Sequence, residues 1–243
     1  MKVYPVNAME AATAISGQIS PYNSIEHLWN RYMDFHVDFT RHDVNIFFSW
    51  DRGISMNSFI IGNTNALRGT LLFYYGNHLF WEKRFEMDEY IKILVHTDER
   101  MNRITALCDR VSLHLEGAQN IKVGYVFMGE EWVLPRFTVT PKRTLQLRNE
   151  SGRTFSGQVT GIPQEALMDF HANFTRIDQE WFKVIDDYVN GVQSVIPHVI
   201  DPYYEAHSKF PPMFCTLTEY GEQEKRIENG FYWNYQMSWM EAK

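Results

Sequence analysis

The chain closes on Asn229-Gly230-Phe231-Tyr232-Trp233-Asn234-Tyr235-Gln236-Met237-Ser238-Trp239-Met240. From Phe231 onward, Phe231, Trp233, Tyr235, Met237 and Trp239 alternate with Tyr232, Asn234, Gln236, Ser238 and Met240. Successive side chains of a strand point to opposite faces, so this run predicts a strand with one face buried. Asn229-Gly230 is a turn signal, and it predicts a hairpin that pairs this strand with one over Cys215–Tyr220. A terminal segment this aromatic belongs in a sheet, which makes Phe231, Trp233, Tyr235 and Trp239 the expected inner-sheet residues.

The same alternation recurs upstream. Val111, Leu113 and Leu115, then Ile121, Val123, Tyr125 and Phe127, then Phe137 and Val139, then Leu145 and Leu147 read as short strands. Ser58–Ile61 and Thr70–Tyr75 are further strands, and Gly76-Asn77 links the second to Leu79, Phe80 and Trp81 as a hairpin. Ile46, Phe47, Phe48 and Trp50 form an apolar run that Asp51-Arg52-Gly53 is expected to end as a turn. The density of strands, divided by Gly117, Gly129, Pro135 and Pro141, predicts an antiparallel β-barrel or sandwich.

Helical spacing enters at three places. Ile25, Leu28, Trp29, Tyr32, Phe35 and Phe39 predict a helix to about Thr40, with Asn23 or Ser24 as its cap. Glu86–Arg110 has helix-like stretches on either side of a polar middle. Pro163 precedes Leu167, Phe170, Phe174, Ile177, Trp181, Val184, Tyr188 and Val192, which predicts a long amphipathic helix over 164–192. The fold class is therefore α+β, a β-barrel or sandwich with packed amphipathic helices, and two related β-rich domains are open to it. The expected division is a flexible arm over 1–20, an α+β domain over 21–144 and a β-rich domain over 145–243.

The 243 residues include 23 Lys+Arg and 30 Asp+Glu, a net charge of −7. Acidity of this size argues against a nucleic-acid clamp, so Lys142, Arg143, Arg148 and Arg153 are not read as phosphate contacts. Met1–Ser20 lacks the basic and apolar regions of a secretory leader, and no stretch approaches the roughly 20 apolar residues of a membrane span. Cys108 and Cys215 stand 107 positions apart with no Cys-x-x-Cys, and are read as small buried side chains in a reducing compartment.

The usual signatures of catalysis are missing from the sequence: no phosphate-binding Gly-rich loop, no His-Glu-x-x-His and no nucleophile elbow. Asp34, His36, Asp38, His42 and Asp43 form the densest set of metal-ligand types, and they carry the rival reading, a metal-dependent hydrolase using Asp34, His36 and His42. A second rival is a small-ligand binding protein with an aromatic-lined pocket. His198, Asp201 and His207 lie in a Pro-rich stretch, Ile196–Pro212, read as an irregular contact loop. Aromatics make up 15% of the chain: Phe 17, Tyr 13 and Trp 7. Strand positions such as Phe47, Phe48, Trp50, Tyr74, Tyr75, Phe80, Trp81 and Tyr232 exceed what one core needs, which points to self-association.

Ser151-Gly152-Arg153-Thr154-Phe155-Ser156-Gly157-Gln158-Val159-Thr160-Gly161-Ile162-Pro163 follows a strand and precedes a helix, and the chain ends in the aromatic strand through Glu241. That pattern, over about Leu145–Lys243, resembles tail-tube, distal-tail and baseplate proteins of tailed bacteriophages. The Ile25–Phe39 segment has no counterpart in it. The resemblance implies a virion structural protein, not an enzyme, with no cofactor and no metal. It implies rings formed by joining sheets edge to edge, with copies of itself and other tail or baseplate proteins as partners, and neither nucleic acid nor membrane. The expected location is the virion tail, assembled in the host cytoplasm. The inter-subunit contacts expected on this basis are Arg153, Phe155, Pro197, His198, Tyr203, Tyr204, Pro211 and Pro212.

Overall fold

A computed structural model describes residues 1–16, 24–29, 36–137, 142–146, 149–153, 159–163, 167–192, 196–202, 211–227 and 230–242. Contacts divide the chain into two units, Lys2–Trp132 and Val133–Ala242, the second also holding Met1. The division falls earlier than the expected 144/145 boundary. The chain is mostly antiparallel β-sheet in a sandwich-like arrangement, and the sheets are not closed into a barrel.

The N-terminal unit holds β1 (Lys2–Tyr4), β2 (Ala14–Ser16), β3 (Val37–Asp38), β4 (Asp43–Met56), β5 (Ser58–Thr64), β6 (Arg68–Tyr75), β7 (His78–Glu86), β8 (Ile91–Val95), β9 (Ala106–Glu116) and β10 (Lys122–Gly129), and β11 (Trp132–Val133) closes it. One sheet runs β2-β4-β9-β6-β7 and the other β3-β10-β5-β8, all pairings antiparallel. Val44, Ile46, Phe48 and Trp50 of β4 face inward with Leu71 and Phe73 of β6 and Val111, Leu113 and Leu115 of β9. They meet Phe59, Ile61, Val123, Val126 and Met128 from the other sheet in one core. Each such fully buried side chain contributes about 1.5–3 kcal/mol of burial free energy.

The C-terminal unit holds β12 (Lys142–Gln146), β13 (Asn149–Arg153), β14 (Val159–Pro163), β15 (Leu167–Ile177), α1 (Gln179–Val192), β16 (His198–Asp201), β17 (Met213–Ile227) and β18 (Gly230–Glu241). Within this unit the sheet order is β16-β17-β18-β15-β12, and β13 and β14 pair only with each other. Asp178 starts α1: its carboxylate accepts from the Trp181 amide at 3.0 Å and its carbonyl from the Phe182 amide at 2.9 Å. Ile185, Tyr188 and Val192 form the buried side of α1, and Phe182 stacks 4.5 Å from Trp233.

Several elements differ from the sequence reading. Residues 1–16 are built in rather than a loose arm: Val3, Tyr4 and Met9 are buried. Asn7 also bridges to β10, donating to the Val126 carbonyl at 2.9 Å and accepting from the Met128 amide at 3.2 Å. Of the helix expected to Thr40, the described residues show a 3-10 turn, Ile25–Trp29, while residues 30–35 lie outside the described residues; Val37 and Phe39 are buried with β10, where Phe39 donates to the Ile121 carbonyl. Glu86–Arg110 forms β8 and the start of β9, because Ile91–Val95 completes the sheet beside β5.

The helix over 164–192 begins only at Gln179. Phe170, Ala172 and Phe174 point into the core while Asn173 is exposed, so small Ala172 hid a period-two pattern inside an apparent three-four spacing. Asp51–Gly53 does not end β4; it is a bulge between Ser49 and Ile54. The aromatic hairpin of β17 and β18 forms as expected, and so does that of β6 and β7, with Gly76 at φ 58° in its turn.

Candidate assembly surface

β12 pairs β15 from Lys142↔His171 to Gln146↔Leu167, and β13 pairs β14 from Asn149↔Pro163 to Arg153↔Val159. β13 and β14 form a sheet of their own, and residues 147–148 and 164–166 between the two blocks lie outside the described residues. β18 pairs β15 from Asp169↔Met240 to Ile177↔Trp233.

The outer pairs of β13 and β14 are Glu150↔Ile162, Ser151↔Gly161, Gly152↔Thr160 and Arg153↔Val159. None is a pair of large apolar residues. On β12, Leu145 is about half exposed, at 51%.

An open feature lies across the sheet. β16 pairs β17 only at Met213, Phe214 and Cys215. Among the described residues nothing pairs the outer edge of β17 from Thr216 to Ile227. Twelve residues of strand present about 40 Å of free edge. Three carboxylates, Glu219, Glu222 and Glu224, fall on its first nine residues without a cation. Glu219 and Glu222 are exposed, accepting from the Ser238 hydroxyl at 3.2 Å and the Tyr220 hydroxyl at 2.9 Å. Tyr220 stacks on Tyr235 at 5.7 Å, and burial pushes both phenols up from their ordinary value. Charges on an open strand discourage random edge pairing.

The expected contact residues scatter. Arg153 sits on β13. Phe155, Tyr203 and Tyr204 lie outside the described residues. Pro211 is exposed and Pro212 half-buried just ahead of β17, and Pro197 is half-buried. His198 is a correction: it is 1% exposed and cannot be a surface contact. It lies on β16 because Val199 and Ile200 beside it are buried against β17, so the stretch read as irregular is partly a strand.

His198 belongs to a buried polar chain. Its Nδ1 faces the Ile196 carbonyl at 2.9 Å, which makes Nδ1 the protonated nitrogen and leaves Nε2 to accept from the Tyr188 hydroxyl at 2.6 Å. Tyr188 in turn accepts from Trp239 Nε1 at 2.7 Å. Burial lowers the imidazole to about 4, so it is neutral, and burial raises the Tyr188 phenol. The chain ties α1, β16 and β18 together and has no open side for a substrate.

The expected inner-sheet residues divide. Trp239 and Tyr235 are buried, and Trp233 is half-buried under Phe182. Phe231 is 50% exposed; it lies near the start of β18, beyond the end of the pairing with β15 at Trp233↔Ile177 and opposite Arg226 of β17.

The described members of the metal-ligand set are not brought together. Asp34 lies outside the described residues, His42 is exposed, and His36 is half-buried. Asp38 is 3.6 Å from Lys122, and Asp43 is 3.5 Å from His114. Among the described residues no group of three or more metal-ligand side chains converges. In the N-terminal unit the most buried charge is Glu131, which accepts from Lys2 at 2.9 Å, from Arg103, and from the Tyr4 hydroxyl at 2.9 Å. Three donors on one carboxylate make a structural clamp between β1 and the loop before β9.

The sequence reading missed the free edge of β17, although Glu219, Glu222 and Glu224 fall on a strand shortly before an Asn-Gly turn.

No protein-family model matches the chain, and no curated protein matches it. Solved structures of similar shape include a GH29 fucosidase from Ruminococcus gnavus in complex with fucose, 5% identical, TM-score 0.43, covering 53% of this chain and 27% of that one. Another is a CBM32 module produced by Clostridium perfringens, 7% identical, TM-score 0.40, covering 51% of this chain and 98% of that one. A third is a chitosan-binding module from a Paenibacillus chitosanase/glucanase, 8% identical, TM-score 0.38, covering 49% and 95%. The chain spans about a quarter of the length of the fucosidase it matches. Likenesses this low carry no functional argument. No described helix is long and apolar enough to cross a membrane.

Proposed function

We propose that the chain is a structural subunit that assembles with copies of itself, and with other proteins, in the tail or baseplate of a tailed bacteriophage. The observation that carries the assembly reading is the outer edge of β17 from Thr216 to Ile227, which nothing pairs among the described residues. Such an edge lowers its free energy by pairing with a strand of a neighbour. The tail or baseplate location draws on the resemblance of Ser151–Pro163 and the closing strand to those proteins. Assembly in the host cytoplasm and residence in the virion follow from that reading.

No catalytic step is assigned. The aromatic side chains first read as interface divide in two: Phe48 and Trp50 belong to the N-terminal core, whereas Phe47 at 47% and Tyr75 at 51% are exposed.

Gel filtration with light scattering over a range of concentrations tests the assembly. The expected result is a defined oligomer that grows in at higher concentration. A strict monomer throughout would overturn the reading. Labelled antibody on purified particles tests the location, and decoration of the capsid instead of the tail would overturn that part.

A further inference from the structure

On the helix side of the C-terminal sheet, three elements bring carboxylates and aromatic rings together. β17 supplies Tyr220 and Glu222, and β18 supplies Trp233 and Tyr235, with Glu222 directly opposite Tyr235. Alternate residues of a strand share a face, so these four lie on one side of the sheet. α1 supplies Phe182 and Asp186, one turn apart on the same stripe. The Phe182 ring lies 4.5 Å from that of Trp233 and 6.2 Å from that of Tyr235.

Two observations mark this cluster as incomplete. Glu222 accepts from the Tyr220 hydroxyl at 2.9 Å and Asp186 from the Asn190 amide at 3.2 Å, and among the described residues neither carboxylate forms an ion pair. Tyr235 is 2% exposed, and its hydroxyl, itself buried, has no hydrogen-bond partner. A buried hydroxyl left unpaired is costly, and a ligand that bonds to it recovers that cost. Burial, then the charges of Glu222 and Asp186, hold the Tyr235 phenol above its ordinary value, so both carboxylates act on the same oxygen.

We propose that Glu222, Asp186 and the Tyr235 hydroxyl, with the rings of Phe182, Trp233 and Tyr220, form a site for a guanidinium group, the arginine side chain of a partner polypeptide. A guanidinium is planar and always charged, carries a fork of N–H donors and stacks on aromatic faces. One such group therefore serves both carboxylates, the phenol oxygen and the rings. An ammonium brings a point charge with no face to stack. The source is a polypeptide because Phe231 continues the Trp233 face and is 50% exposed, apolar surface that a free small cation would leave wet. All six residues belong to one chain, so the site does not depend on the assembly reading.

Tryptophan fluorescence, with Trp233 inside the site, follows a titration of the full chain with acetyl-Leu-Arg-Leu-amide. The expected result is a saturable change. The citrulline counterpart, neutral in the same shape, should bind about tenfold or more weakly, and so should the lysine counterpart and methylguanidinium. Glu222→Gln keeps an acceptor for Tyr220 at an exposed position and should weaken binding about tenfold. Tyr235→Phe should weaken it about threefold without lowering the melting temperature, because that hydroxyl bonds to nothing in the free protein.

No saturable change with wild-type protein overturns the site. Equal binding of the citrulline or lysine peptide overturns the guanidinium, and equal binding of methylguanidinium overturns the polypeptide source. Unchanged binding in Glu222→Gln places the peptide elsewhere. A lower melting temperature in Tyr235→Phe with unchanged binding makes the hydroxyl structural, which also overturns the site.

Discussion

The Tyr188 hydroxyl stands 2.6 Å from His198 Nε2 and donates to it, while accepting from Trp239 at 2.7 Å. One oxygen thus joins the only α-helix among the described residues to two strands of its sheet. Replacing Tyr188 with Phe keeps the ring and removes that oxygen, leaving the Trp239 N–H and the His198 nitrogen buried without partners. The expected cost is about 1–3 kcal/mol per stranded group, read as a lower urea midpoint at unchanged far-ultraviolet dichroism.

The same histidine makes stability depend on pH. Above pH 6.5, its ordinary value, His198 is neutral folded or unfolded, and the interaction is intact. Below that, the unfolded chain takes up a proton that the folded chain refuses until about pH 4, so stability falls as the pH drops through this window. The loss sums to about 3 kcal/mol, taking about 1.4 kcal/mol per pH unit. Urea unfolding at pH 7 and pH 5 should show it, and His198→Gln should flatten the slope between them. An equal slope in the variant would contradict this account.

Glu131 holds two cations at a carboxylate with no exposure. Glu131→Gln leaves Lys2 and Arg103 facing a neutral amide in the same place. Losing one partner of a buried charge cluster costs about 3–5 kcal/mol. The thermal midpoint of the N-terminal unit should drop, while Glu82→Gln, which removes an exposed ion pair with Arg84, should leave it within about 0.5 kcal/mol.

Gly129 ends β10 where a Cβ would lie 2.6 Å from the Val6 carbonyl oxygen and 2.9 Å from the Phe127 ring. The carbonyl is backbone and cannot rotate away. Gly129→Ala should therefore cost about 1–3 kcal/mol by overpacking. Gly76→Ala meets no atom within 4 Å and is penalised only by its φ of 58°, so it should cost less, about 1 kcal/mol. Melting curves of the two variants side by side test the order.

The β-rich character and the closing hairpin were legible in the sequence because Trp233, Tyr235, Met237 and Trp239 alternate without interruption. Leu167–Ile177 was not, since Ala172 is too small to mark the buried face and Phe170, Phe174 and Ile177 mimic a helical stripe. Ile91–Val95 was hidden for another reason: with Ile91 and Leu94 buried it has the spacing of a helix turn, and only pairing with β5 makes it a strand. His198 looked like a surface residue because prolines surround it, whereas its hydroxyl partner Tyr188 lies 10 positions away, and Trp239, which donates to Tyr188, lies 51 positions from Tyr188. Local pattern carries no information about such contacts. The free edge of β17 was not legible either, because it follows only from where β16 stops pairing, at Cys215.

The β12–β15 pair also has a mechanical character. In an antiparallel pair the hydrogen bonds run across the strands. Tension along its axis therefore loads all its rungs at once in shear, from Lys142↔His171 to Gln146↔Leu167. Tension across it would open them one at a time, like a zip. A tether made this way is stiff to a pull along its length and easily peeled from its tip, so it holds firm under extension and is released from one end.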